Sequence, residues 1–97
     1  MTDIAVSCNP APSDGWACHV RLSSHGRLLG DHDVRVERAD LERLDPGAAD
    51  PTDLVRRSFA FLLEREPPSS ISRSFALPVI GRYFPEYESQ IANRGGG

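Results

Sequence analysis

The chain reads as a small α+β domain, in which a three-stranded antiparallel sheet in the N-terminal half packs on one central helix and short C-terminal helices follow. Three observations lead there. Residues 3–37 alternate apolar and polar side chains in three runs separated by turn-forming residues. Residues 50–68 carry a helix with both its start and its stop written out. Beyond that point the apolar positions recur at helical spacing rather than alternating.

The first run places Ile4, Val6 and Cys8 on one face, with Asp3, Ala5 and Ser7 on the other. Asn9 to Gly15 is turn material throughout. In the second run Trp16, Cys18, Val20 and Leu22 share a face, opposite Ala17, His19, Arg21 and Ser23. Ser24-His25-Gly26 reads as a hairpin turn, with Gly26 free to take positive φ. The third run, residues 27–37, sets Leu28, Gly30, His32, Val34 and Val36 on one face, with Gly30 as the candidate for a bulge. Asp31, Asp33, Arg35 and Glu37 suit the wet side of an antiparallel sheet.

From Ala39 the period changes. Residues 39–44 form a short helix docking through Leu41 and Leu44, and Asp45-Pro46-Gly47 stops it. For the central helix, Asp50 caps free amide hydrogens, Pro51 suits the first helical position and Asp53 complements the dipole. Pro67 and Pro68 forbid continuation. Leu54, Val55, Phe59, Phe61, Leu62 and Leu63 sweep an arc of roughly 200° on the helical wheel, so this helix belongs at the centre of the fold. Ser69 or Ser70 then caps a further turn carrying Ile71 and Phe75. Ile80, Phe84, Tyr87 and Ile91 form one stripe across a kink at Pro85. The domain spans residues 1–93, and 94–97 read as a flexible glycine tail.

At 97 residues, 39% hydrophobic and 26% charged, the chain has the make-up of one globular domain. No apolar run approaches the ~20 residues of a membrane span, and the N-terminus lacks the pattern of a signal peptide. The expected location is cytoplasmic, where Cys8 and Cys18 are free thiols. They lie ten residues apart on neighbouring strands, and whether they meet is left open by the sequence.

The basic side chains are eleven arginines and no lysine, which removes Schiff-base chemistry and Walker-type phosphate binding. Residues 1–50 hold nine acidic and five arginine side chains, and residues 51–97 hold five and six. That asymmetry is too small for the clustered basic face expected of a nucleic-acid binder. Cys8, Cys18, His19, His25 and His32 are the one group with metal-ligand chemistry, but their spacings match no zinc pattern. A buried Cys and solvent-facing imidazoles account for them. Cys18 shares its face with Trp16, Val20 and Leu22, the setting of an inert thiol rather than a nucleophile. No catalytic residue, metal or cofactor is expected.

Two arginine-bearing segments are candidates for contact with a partner. Arg56 and Arg57 lie on the polar strip of the central helix, where Asp53–Arg57 pairing at i, i+4 is the simpler role. Arg82-Tyr83-Phe84-Pro85-Glu86-Tyr87 is dense in the residue types that anchor interfaces. Arg82, Tyr83 and Tyr87 are its candidate contacts, and Tyr83 diverges from Phe84 by ~100° toward the rim.

Residues 51–91 resemble a group of small uncharacterised bacterial single-domain proteins. The match is carried by Leu54, Phe59-Ala60-Phe61-Leu62-Leu63-Glu64-Arg65-Glu66-Pro67, Ser70-Ile71, Phe75, Val79-Ile80 and Arg82 to Tyr87. The resemblance implies one bacterial domain and transfers no functional residue.

The reading is a non-enzymatic domain acting through protein contacts, including self-association as a homodimer. The alternative is a nucleic-acid-associated regulator, which requires Arg56, Arg57, Arg65, Arg73 and Arg82 to converge on one face. A small enzyme or metal protein built on Cys18, His19 or His32 ranks last.

Overall fold

A computed structural model describes residues 2–95. Three long strands form a meander: β1 (Asp3–Ala11), β2 (Gly15–Ser24) and β3 (Arg27–Glu37). Two helices follow, α1 (Arg38–Leu44) and α2 (Thr52–Leu63). After a 3-10 turn at Pro68–Ser70 come a short strand β4 (Ser74–Ala76) and the helices α3 (Val79–Tyr83) and α4 (Tyr87–Gly95).

The α+β class and the antiparallel meander are as expected, but the sheet has four strands, in the order β1-β2-β3-β4. β4 runs parallel to β3, matching Asp33 with Ser74 and Arg35 with Ala76. The expected helical turn around Ile71 and Phe75 is therefore corrected to an extended segment. Its bonds explain why. The Asp33 amide donates to the Arg73 carbonyl at 2.7 Å, and the Leu77 amide donates to the Arg35 carbonyl at 2.9 Å. Phe75 and Leu77 then point into the core with the two-residue period of a strand.

One face of the sheet is covered. Trp16, Cys18, Val20, Leu22, Val34 and Val36 pack with Leu54, Val55, Phe59, Phe61 and Leu62 of α2 in a single core. Strand alternation and the helical stripe thus bury each other's apolar surfaces. α2 begins at Thr52, one residue later than expected, with Pro51 at its N-cap. The Asp50 carboxylate accepts the Thr52 amide at 2.9 Å, and its pKa is lowered first by the Thr52 side chain and then by that amide. The stripe expected across Pro85 also docks, with Ile80, Tyr87 and Ile91 buried. α4 continues to Gly95, so its helix takes in Arg94, which the sequence reads as tail. Gly96 and Gly97 lie outside the described residues.

The two hairpins set the register. His25 and Gly26 both have positive φ (53° and 77°), as a two-residue hairpin turn requires. A register shift falls between Leu22 and Ser23, opposite Gly30 and Leu28, so the extra residue is Leu29 beside Gly30. In the first hairpin Asp14 takes the left-handed region at φ 60°. Gly15 meets β3 so closely that an added Cβ would stand 2.5 Å from the Val36 carbonyl oxygen. This turn places Cys8 directly opposite Cys18, with Cα atoms 4.0 Å apart, and the two are joined as a disulfide. The expectation of free thiols is corrected: the Pro12–Asp14 turn aligns the strands so that the two sulfurs face each other.

Candidate functional site

The uncovered face of the sheet carries a cluster of charge. His19 and Arg21 on β2 stand opposite Asp33 and Asp31 on β3. Each ring nitrogen of His19 meets a carboxylate, Nε2 to Asp31 at 3.0 Å and Nδ1 to Asp33 at 3.2 Å. Arg21 Nε donates to Asp31 at 3.1 Å. Only the imidazolium can donate to both acids at once, so the His19 pKa is raised, chiefly by the bond to Asp33 and then by that to Asp31. Asp31 is lowered, first by Arg21. A shallow hollow beside this cluster is lined by Asn9, Ala17, His19, Asp33 and Arg35.

The three histidines occupy three places. His19 lies on the open face, His25 in the hairpin turn, and His32 on the core face, 3% exposed rather than solvent-facing. The Nδ1–H of His32 donates to the Ser72 carbonyl at 2.8 Å, and its ring lies 5.4 Å from that of Phe59. Its Nε2 is buried with no hydrogen-bond partner among the described residues. Gly30 leaves room for that atom: a Cβ there would approach Nε2 to 3.0 Å.

A second hollow, of about 280 Å³, opens where the end of α2, the 3-10 turn, β4 and α3 converge. Leu62, Ile71, Phe75 and Ile80 form its buried floor. Glu66 and Tyr83 stand at its mouth, and Tyr83 is 75% exposed. Phe75 reaches it because β4 is a strand, so the missed strand also hid this cleft from sequence reasoning.

The candidate contact residues divide between surface and framework. Tyr83 and Arg82 are exposed. Arg56 is exposed, with a carboxylate oxygen of Asp53 3.9 Å away. Arg57 is 15% exposed and held by Asp53, Asp45 and the Ile91 carbonyl. Tyr87 is wholly buried and is corrected from contact residue to core. It sits at the start of α4 against Phe61, where the apolar stripe turns its ring inward. Its hydroxyl lies 2.7 Å from Ser58 Oγ, which itself donates to the Leu54 carbonyl. The proton between them therefore comes from Tyr87.

Because Ser58 keeps its own acceptor, the two partners are unequal. Ser58→Ala strands a buried phenol donor and is expected to cost about 1–2 kcal/mol in urea unfolding, with Tyr87→Phe costing less. Equal losses would show that the bond direction is wrong. Burial also pushes Tyr87 up to about 12 from an ordinary value of 10.0. The buried neutral phenol contributes stability in full below pH 10, and that contribution disappears as the pH rises through about 12. Tyr87→Phe should flatten this alkaline loss.

Of the five arginines required for a nucleic-acid face, three are engaged. Arg57 is held as above, Arg56 lies beside Asp53, and Arg65 pairs with Glu86 while its guanidinium lies 3.7 Å from the Phe61 ring centroid. Among the described residues no three His, Cys, Asp or Glu side chains are arranged so that they could hold a metal ion, and no helix is long and apolar enough to cross a membrane. Comparison of the chain with family models, curated proteins and solved structures returns no match.

Proposed function

We propose that this domain works by contact with other proteins and that it pairs with a second copy of itself, edge to edge along β1. The observation behind this reading is the outer edge of that strand. In an antiparallel pair the residues whose Cα atoms approach most closely exchange no hydrogen bonds with each other. The 4.0 Å separation of Cys8 and Cys18 assigns them to that class, and alternation assigns Ile4, Val6 and Pro10 to it as well. Pro10, which has no amide hydrogen, fits that position. The peptide groups of Ile4, Val6 and Cys8 therefore face outward from a nine-residue edge strand.

Little guards that edge. It carries one charged residue, Asp3, no lysine, and a proline only near its end. Ile4, Val6 and Cys8 are left half-buried beside the core. A two-fold axis at Val6 would set Ile4 against Cys8 of the second copy, Asp3 against Asn9 and Ala5 against Ser7, with no like charges opposed. The nucleic-acid alternative has no comparable observation in its favour, because three of its arginines already have neighbours. The sequence suggests the cytosol as the site of action, where reductants would meet the Cys8–Cys18 bridge. Edge pairing does not depend on the bridge, because the ladder to β2 holds β1 in place.

Native mass spectrometry and sedimentation equilibrium test this. The protein is expected to form a dimer, and the double variant Ala5→Glu with Ser7→Glu is expected to weaken it at least roughly tenfold, about 1.4 kcal/mol. Within one copy the new carboxylates face Arg21 and His19, so the fold is spared. Across the seam they face each other. A wild-type protein that stays monomeric at about 100 μM, or a dimer indifferent to both substitutions, would refute edge pairing.

A further inference from the structure

We infer that the cleft at the end of α2 is a binding site for a small organic cation, an amine carried on an apolar body. Its floor is apolar, made by the buried side chains of Leu62, Ile71, Phe75 and Ile80. Such a floor takes hydrocarbon, and the polarity at the mouth decides which ligands are admitted. Three features there select positive charge.

Glu66 lines the cleft and its carboxylate has no hydrogen-bond or ion-pair partner among the described residues. The neighbouring cation does not neutralise it, because Arg65 is drawn to Phe61, Glu86 and Gln90. α2 also ends here. The Leu62 carbonyl accepts the amides of Arg65 and Glu66, and the negative end of the helix dipole lies beside that carboxylate. Tyr83, exposed at the rim, is an aromatic ring within reach of a cation seated there.

Size limits the occupant. About 280 Å³ falls just below the usual range of small-molecule pockets, roughly 300 Å³ and upward, which suits one ring or a short branched chain bearing an ammonium group. The site is independent of the β1 edge, since none of its lining residues belongs to β1.

Phenethylamine is a suitable probe and 3-phenylpropionate its control, having the same ring with the opposite charge. In amide NMR titrations of the full chain, phenethylamine is expected to shift the signals of Leu62, Ile71, Phe75 and Ile80 to saturation. The control should leave them in place. Glu66→Gln should weaken amine binding at least tenfold. Tyr83→Ala should weaken it several-fold while the rest of the spectrum stays native. The Ala5→Glu, Ser7→Glu variant should bind the amine as the wild type does, so failure of edge pairing and failure of this site are told apart. Equal shifts from both probes, no saturable shift from the amine, or amine binding unchanged in Glu66→Gln would each overturn the inference. So would a lysine-bearing tripeptide that saturates the cleft when the free amine does not.

Discussion

Phe59→Ala is expected to lower the free energy of unfolding by about 3–5 kcal/mol, the range for deleting a fully buried phenylalanine. Phe59 has no exposed surface and sits in the middle of α2. Its ring lies 5.4 Å from that of His32 on β3 and 6.0 Å from that of Phe75 on β4. The site cannot collapse easily, because His32 is tied to the Ser72 carbonyl and β4 is fixed by its bonds to β3. A domain of this size has a total stability of about 5–15 kcal/mol, so the variant should unfold at much lower urea and lose the chemical-shift dispersion of β4 first. Phe59→Leu, which keeps most of the volume, should cost about 1.5 kcal/mol or less. A loss below about 1 kcal/mol for the alanine variant would mean that α2 is not the centre of this core.

Arg57→Ala is the second large effect, expected at about 2–3 kcal/mol. Its guanidinium meets Asp53 at 2.8 Å, Asp45 at 2.7 Å and the Ile91 carbonyl at 3.0 Å. Those partners belong to the first turn of α2, the residue that ends α1, and α4, so one side chain braces three elements. Arg57 is 15% and Asp45 19% exposed, which leaves the stranded carboxylate only partly hydrated once the cation is gone. Arg57→Lys should recover less than half of the loss, because an ammonium group lacks the planar fork that spans these acceptors. If Arg57 instead serves a partner surface, the alanine variant will unfold like the wild type and differ only in association.

The long elements were legible because each repeats its own period many times. Three runs of alternation and one wide helical stripe are enough to pair the sheet with α2. Ser74-Phe75-Ala76 is too short to show a period, and its conformation is decided by β3, some forty residues earlier in the chain. The disulfide turned on register: a turn one residue longer or shorter would move Cys8 off Cys18. Tyr87 and Tyr83 look alike in sequence, yet the start of α4 buries one and the end of α3 exposes the other. The cleft was least legible of all, because it draws on the end of a helix, a 3-10 turn, an unexpected strand and α3. No local motif announces such a meeting.

The bond between Cys8 and Cys18 straddles the Pro12–Asp14 turn, an exposed bend of the kind proteases find first. A single cut there would not release β1. The severed N-terminal piece would stay tethered through sulfur and aligned by nine residue pairs, so the nicked molecule would keep its outline and its outer edge. The N-terminal strand is thus joined to the rest of the domain twice, once through the peptide chain and once through the bridge. Only a molecule both cut and reduced loses the covalent hold on that strand.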